Sequence, residues 1–437
     1  MWPYYPDLLA RAVPRYTSFP TAAEFDDTVG EEAQSDGLLS ARGAVSLYVH
    51  IPYCSQLCWY CGCNTGTVGK ASRLASYLNA LEREIEHVAQ SAASGLEPTR
   101  IAFGGGSPNA LSPIAFVRVL TLLTTQFNAA TPLMSIEIDP RDFSETWADT
   151  LRAVAISHVS LGVQTFAPRL QAAIGRVQPR VQVEQTVAAL RTAGVTSLNF
   201  DLMYGLPGQT IDDLEDSLAL TIELGADRIA LFGYAHVPHL IPRQRRIDAT
   251  ALPDQAARFA MAAYGFQRLT AAGYVPVGFD HFALPHDPLA VAARNGTLRR
   301  NFQGFTDDQS ETLIGLGASA ISQFPNAIIQ NEKNAGRYRM RLSHDRLPGA
   351  GGVRRSAEDV ARGRAITDIL SNRPADIGRW KSMTLLSGLA PFIYHGLVDL
   401  DGHWLRPTSA TRPYARSIAA LLDPYRSATT QRFSSAV

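Results

Sequence analysis

The sequence predicts an α/β fold: an incomplete (β/α) barrel of parallel strands, with an N-terminal arm before it and a small, mainly helical C-terminal domain after it. Short β-prone runs alternate with longer amphipathic ones from Val45 onward. Six or more such units within about 200 residues suit an open or incomplete barrel better than two unrelated sheets. Polar residues recur at alternate positions near the ends of several runs, as expected of side chains turned into one interior cavity. A doubly wound sheet is the alternative, because periodicity does not fix closure.

Residues 1–44 are punctuated by Pro and Gly, hold the segment Pro14-Arg15-Tyr16-Thr17-Ser18-Phe19-Pro20-Thr21, and read as an arm. Strands are expected over 45–51, 99–103, 134–138, 158–164, 197–203 and 228–234, with helices over 74–90, 113–127, 181–193 and 212–223. A further β-prone run covers 274–282. The barrel and its extension are placed at 45–342. The Gly- and Pro-rich stretch Leu347-Pro348-Gly349-Ala350-Gly351-Gly352 reads as a linker within 343–437, and helical patterning runs from Ser356 to the end as a helical or winged-helix-like domain.

Composition narrows the functional classes. The 437 residues are 46% hydrophobic and 18% charged, ample for a large core, so disorder and a small stapled scaffold are excluded. Forty Lys and Arg balance forty Asp and Glu, leaving no global field to draw nucleic acid or an anionic membrane. No apolar run reaches the roughly 18 residues of a membrane helix, and the first residues lack a basic segment leading into an apolar one. A cytoplasmic monomer, with neither nucleic acid nor membrane insertion, is expected.

All four cysteines, Cys54, Cys58, Cys61 and Cys63, fall within ten residues, where a disulfide framework would spread them along the chain. Pro52 ends the first strand and releases the chain into their loop, at the strand's C-terminal end, the face where barrels carry their chemistry. The spacing Cys54-x-x-x-Cys58-x-x-Cys61 offers three thiolates from one loop, which suits an iron-sulfur cluster with one iron left open to an outside ligand. A zinc site on all four cysteines is the competing reading; paired Cys-x-x-Cys knuckles are missing and Cys61 and Cys63 would be cramped.

This loop resembles that of radical S-adenosylmethionine (SAM) enzymes. Its flanks, Tyr48-Val49-His50-Ile51-Pro52-Tyr53-Cys54 and Cys61-Gly62-Cys63-Asn64, are similar to those of the oxygen-independent coproporphyrinogen III oxidase (coproporphyrinogen dehydrogenase) family. So are Arg15 to Thr21, Tyr234-Ala235-His236, Asp280-His281-Phe282 and Asn301-Phe302-Gln303-Gly304-Phe305. The resemblance implies a [4Fe-4S] cluster on Cys54, Cys58 and Cys61, SAM at its open iron, and chemistry on coproporphyrinogen III in haem biosynthesis: hydrogen abstraction from two propionates, loss of carbon dioxide, and two vinyl groups in protoporphyrinogen IX. A reductant and an electron acceptor, both unidentified, complete the reaction. The resemblance further implies Tyr48, Tyr60, Gly105, Gly106, Ser107, Glu137, Gln164, Arg176, Asp201, Ala235 and Ile321 as contacts of two SAM molecules. Gly175 stands where the family commonly has asparagine, and Leu370-Ser371-Asn372-Arg373-Pro374 replaces a segment usually bearing Cys-Asn-Phe.

The residues carry part of this reading by themselves. Tyr48 and His50 share one strand face, as do Ser135, Glu137 and Asp139, and Asn199 with Asp201. A satisfied interior polar group explains any one of them; recurrence on successive strands favours a cavity. Asp201 or Glu137 can accept from ribose hydroxyls or an ammonium, and Arg176 can pair with a carboxylate, its bland alternative being an exposed helix-end arginine. Arg15 is a candidate for lining the entrance of a tetracarboxylate substrate, or else a surface ion pair. His50 reads as a proton-handling group or an interior histidine, and Cys63 as tuning the site, touching substrate or packing. A haem chaperone without oxidase activity, or another radical SAM enzyme acting on tetrapyrroles, is the functional alternative.

Overall fold

The computed structural model describes residues 2–69 and 71–426. Six strands carry the repeating unit: β1 (Gly43–Ile51), β2 (Leu96–Gly105), β3 (Leu133–Ile138), β4 (His158–Gln164), β5 (Ser197–Tyr204) and β6 (Arg228–Gly233). Six more extend the sheet: β7 (Val275–Val277), β8 (His281–Ala283), β9 (Thr312–Leu316), β10 (Ile321–Phe324), β11 (Ala327–Asn331) and β12 (Gly349–Arg354). The 12 strands form one sheet in the order β12-β11-β10-β9-β1-β2-β3-β4-β5-β6-β8-β7. From β9 to β6 every neighbouring pair is parallel; the strands outside that block are antiparallel. The sheet ends at β12 and β7 without joining them, so the barrel is incomplete, as expected.

Parallel neighbours require crossovers, and the sequence supplies helices with clear starts. Among them are α1 (Ala71–Ser91), α2 (Pro113–Gln126), α3 (Arg180–Thr192), α4 (Ile211–Glu223) and α5 (Gln255–Ala271). Ser112 caps α2, and Thr210 with Asp213 makes a reciprocal capping box on α4. Their inner faces bury Phe116, Leu120, Leu190 and Leu218 against Val49, Phe103, Ile136 and Phe200 of the sheet. Burial of such side chains contributes about 1.5–3 kcal/mol each. Alternation then decides what remains: apolar strand residues face the helices and the intervening ones face the barrel interior.

Two sequence expectations are corrected. The stretch expected as a linker contains β12, which pairs antiparallel with β11 from Ala327↔Arg354 to Asn331↔Gly349. Its glycines imitate a linker's composition but serve close approach: a Cβ on Gly352 would lie 2.4 Å from the Ile328 carbonyl oxygen. The run at 274–282 is not one strand but β7 and β8, paired antiparallel.

Beyond β12, α6 (Ala357–Leu370) and α7 (Met383–Tyr394) pack with a three-stranded antiparallel sheet of Ala375–Asp376, Trp404–Pro407 and Val398–Asp401. The left-handed backbone of Asn372 (φ 57°) and Pro374 beyond it follow the end of α6. Residues 427–437, to which the helical patterning extends, lie outside the described residues. The arm is built into this region's core: Leu9, Val13, Tyr16 and Phe19 are buried with Ile366, Ile369, Leu389 and Tyr414. Two interior arginines hold its backbone. Arg416 donates to the carbonyls of Val13 and Pro14, and Arg300 to those of Arg15 and Tyr16. The arm is thereby carried across to the barrel mouth.

Candidate active site

The cysteine loop leaves β1 at the C-terminal end of the parallel strands. A short parallel pairing of Tyr53–Cys54 with Gly66–Thr67 closes the loop on itself. Gln244, 1% exposed, pins it from across the mouth: its amide donates to the carbonyls of Tyr60 (2.9 Å) and Ala235 (3.0 Å). Cys54, Cys58, Cys61 and Cys63 line one cavity of about 700 Å³. Around them stand Tyr60, Gly105, Gly106, Glu137, Gln164, Arg176, Asp201 and Ala235, with Arg15 at the side. A second cavity of about 700 Å³ is lined by Tyr48, His50 and Ile321. Among the residues the two share are Cys61, Cys63, Gly105 and Glu137.

The structure therefore brings together ten of the eleven positions expected around SAM, eight in the first cavity and Tyr48 and Ile321 in the second. Ser107 lines neither: it is 3% exposed and donates from Oγ to Asn109 Oδ1 at 2.5 Å. Backbone geometry serves the cavity at two points. Gly105 has φ +109°, donates its N–H to Glu137 Oε2 (3.2 Å), and leaves no room for a Cβ, which would meet the His50 ring at 2.5 Å. Gln164 follows an irregularity in the β4–β5 register and has φ 71°, unusual for a residue with a side chain and typical of a strand end re-aimed at a site.

Electrostatics at the cysteines come from a network that joins the expected Arg176 to two residues outside the expected set, Asp139 and Arg141. Arg176 is interior, and its fork grips Asp139, Nη1 to Oδ2 at 3.2 Å and Nη2 to Oδ1 at 3.1 Å. Arg141 holds the same carboxylate, Nη2 to Oδ2 at 2.6 Å. Both guanidiniums also donate to Cys58 Sγ, at 3.3 Å from Arg176 and 3.4 Å from Arg141. Arg176 is thus paired with a carboxylate of the chain itself, Asp139. Burial works to raise the Asp139 pKa, but Arg176 and Arg141 prevail and hold it below the usual range. Strand alternation, which puts Asp139 on the face of Glu137, and the Asp-Pro-Arg at the strand exit are the signals the sequence offers for this pair. No sequence pattern marks Gln244.

The thiols differ. Its side-chain hydrogen bond with Cys63 pulls the Cys61 thiol down to about 6, whereas burial pushes that of Cys54 up to about 12. His50 is engaged at both ring nitrogens, Nδ1 with Tyr48 Oη (3.1 Å) and Nε2 with Ser319 Oγ (3.3 Å), and burial lowers its pKa to about 4, so the ring is neutral near pH 7. Asp201 accepts from Ser160 Oγ (3.0 Å) and Asn199 Nδ2 (2.8 Å), and burial raises its pKa. Burial, followed by the Asp201 charge, raises Glu137 to about 7.

The Glu137 shift makes a prediction. An acid whose pKa rises on folding from about 4.5 to about 7 supplies stability that is complete below the unfolded value and lost as the pH climbs through the folded one. Thermal unfolding of Glu137→Gln should lose less stability between pH 5 and 8 than the unsubstituted chain. Parallel pH profiles would contradict the assignment.

The donor set fits an anionic iron-sulfur cluster. Three thiols and a fourth nearby face one cavity, two arginines touch one sulfur, and Arg176 Nε and Arg141 Nη1 are buried without a hydrogen-bond partner. Among the described residues no three His, Cys, Asp or Glu side chains are grouped to hold a single metal ion.

Comparison with known proteins agrees with this arrangement. Residues 48–221 match the model of the radical SAM superfamily. The chain is 39% identical to the oxygen-independent coproporphyrinogen III oxidase of Bradyrhizobium diazoefficiens, covering 97% of each, and 36% identical to that of Escherichia coli, covering 96% of this chain and 95% of the other. The solved coproporphyrinogen III oxidase of Escherichia coli, a radical SAM enzyme, superposes with a TM-score of 0.90 at 34% identity over 97% of this chain and 100% of its own. Near-complete likeness in sequence and fold, joined to the cysteine loop and its cavity, shows that the chain belongs to the oxygen-independent coproporphyrinogen III oxidase family of the radical SAM superfamily.

Proposed function

We propose that the chain is a radical SAM oxidoreductase of haem biosynthesis that converts two propionates of coproporphyrinogen III into the vinyl groups of protoporphyrinogen IX without oxygen. Each conversion turns a –CH₂–CH₂–CO₂⁻ side chain into –CH=CH₂, releasing carbon dioxide, one proton and two electrons. A [4Fe-4S] cluster with SAM, when bound, supplies hydrogen-atom abstraction from an unactivated carbon. The observation that carries the reading is the convergence of Cys54, Cys58 and Cys61 on one cavity with the arginine-bridged Asp139, in a chain alike to named oxidases over almost its whole length.

Cys54, Cys58 and Cys61 hold the cluster. Arg176 and Arg141 donate to Cys58 and stabilise its negative charge, while Asp139 fixes both guanidiniums. Glu137 and Asp201 accept hydrogen bonds from a polar ligand at the cavity floor, and Gly105 and Gly106 admit it close to the backbone. Tyr48, His50 and Ile321 line the place for a second SAM molecule. The surrounding protein orients the reacting groups and limits access of water. Among the described residues no helix is long and apolar enough to cross a membrane.

The test is anaerobic incubation with reductant, SAM and coproporphyrinogen III, followed by mass spectrometry. Two successive losses of carbon dioxide plus two hydrogen atoms are expected, with 5′-deoxyadenosine formed alongside. Abundant 5′-deoxyadenosine with unchanged porphyrinogen would remove the substrate assignment; tight haem binding without turnover would identify a chaperone instead.

A further inference from the structure

Between the barrel mouth and the C-terminal helices lies a third, smaller pocket of about 50 Å³. Its lining holds four arginines, Arg15, Arg258, Arg412 and Arg416, against one acid, Asp280. That acid is already engaged: its Oδ1 lies 2.6 Å from His281 Nδ1. Arg416 and Arg412 spend donors on backbone carbonyls, of Val13 and Pro14 and of Gly278, which satisfy hydrogen bonds without cancelling charge. Arg258, on α5, is different. Its Nε is buried and has no hydrogen-bond partner. Burial lowers the pKa of Arg412 to about 10 and of Arg416 to about 9, and lowers that of Arg258 as well. Like charges gathered in a largely buried pocket, Arg416 buried and the other three half-buried, with one opposing carboxylate call for an anion.

Size and position restrict which anion. About 10–15 Å³ of such space holds one water, so the pocket admits a carboxylate-sized group and excludes a macrocycle. Arg15 and Gly233 line both this pocket and the cysteine cavity, and Arg15 is held there by its bond to the Gly233 carbonyl (2.8 Å) and by the Phe232 ring (5.4 Å). A ligand in the large cavity can therefore extend a side arm past Arg15. None of the cysteine-loop residues lines the pocket, so a group seated in it is kept apart from the sulfurs.

We propose that this pocket receives one of the two propionate carboxylates that the reaction leaves intact, with Arg258 as its principal donor and Arg15 as the wall it passes. The proposal rests on the substrate reading above and deepens it: Arg258 sets which propionates face the cluster by holding one that does not react. It is a specificity residue rather than a catalytic one.

Fluorescence titration with two porphyrins tests it. Coproporphyrin III keeps all four propionates; mesoporphyrin IX keeps only the two corresponding to those that survive the reaction, with ethyl groups at the other two positions. Arg258→Gln should weaken both by a similar factor, about 30-fold for loss of a buried charge-assisted contact. Arg258→Lys, which keeps the charge and guards against a folding defect, should weaken both by a smaller factor. Weakening of coproporphyrin III alone would place Arg258 on a reacting propionate and overturn the proposal, as would unchanged affinity for both. Inorganic phosphate that binds through Arg258 while porphyrin affinity stays unchanged would assign the pocket to a free anion, again overturning it. Tight Arg258-dependent binding in a chain that forms no vinyl product would sustain the pocket and sink the activity.

Discussion

Replacing Cys54, Cys58 or Cys61 singly with serine should abolish vinyl formation, by at least about a thousandfold, and leave the purified protein deficient in iron and sulfide. Removing one thiolate from a three-thiolate set takes away a cluster ligand, and no other cysteine exists outside the loop. Cys63→Ser should behave differently. Cys63 is exposed, and its backbone N–H lies 3.4 Å from Cys61 Sγ, a contact that serine retains. Iron content near that of the unsubstituted chain is expected for Cys63→Ser. If Cys63→Ser loses iron as completely as the other three variants, the ligand set is not the one described.

The second large effect is expected at Asp139. Asp139→Ala leaves Arg141 and Arg176 interior and facing each other without their shared carboxylate. Breaking a buried ion pair by removing one partner costs about 3–5 kcal/mol. The midpoint of urea unfolding should fall accordingly, and iron retention should fall with it, because both guanidiniums lose the group that aims them at Cys58. The direction of the pKa shift adds a pH signature. A carboxyl held below its usual value contributes stability that is present above about pH 4 and disappears as the pH falls further. Asp139→Ala should therefore flatten the acid limb of the stability profile. An unchanged urea midpoint together with full iron content would show that the network is dispensable.

Much of this site was legible in the sequence because its signals are local. The cysteine spacing lies in one loop, and strand alternation places Glu137 and Asp201 on interior faces without knowledge of the fold. The expected run at 158–164 coincides with β4, and the other barrel strands agree within a few residues. What escaped is long-range. Asp139 and Arg176 are 37 positions apart, and nothing in either segment says that the two meet over Cys58. Gln244 reaches back 184 positions to the Tyr60 carbonyl and 9 to that of Ala235, through an ordinary side chain in a short 3-10 helix, Pro242–Arg246. Composition also misled: a Gly-rich stretch that needs close backbone approach to become β12 is indistinguishable from a linker until its partner strand is known.

The departures from the family pattern acquire physical reasons. Gly175 has φ +64°, and a Cβ there would meet the Trp59 ring at 2.6 Å, so glycine lets the cysteine loop pack down on the segment that carries Arg176. The amide of Trp59 donates to the Ile174 carbonyl at 3.0 Å, fastening the two together. The Leu370 to Pro374 replacement falls where α6 stops, and Arg373 there donates to the carbonyls of Gly296 and Leu298 and pairs with Asp368. It ties the C-terminal region to the barrel's extension at a distance from the cysteine loop.

The most direct test of the account is low-temperature electron paramagnetic resonance of the anaerobically reconstituted, reduced protein, recorded with and without SAM. A [4Fe-4S]⁺ signal that changes form when SAM is added is expected, since one iron takes no cysteine. A protein that binds only zinc, or a cluster signal indifferent to SAM, would contradict it.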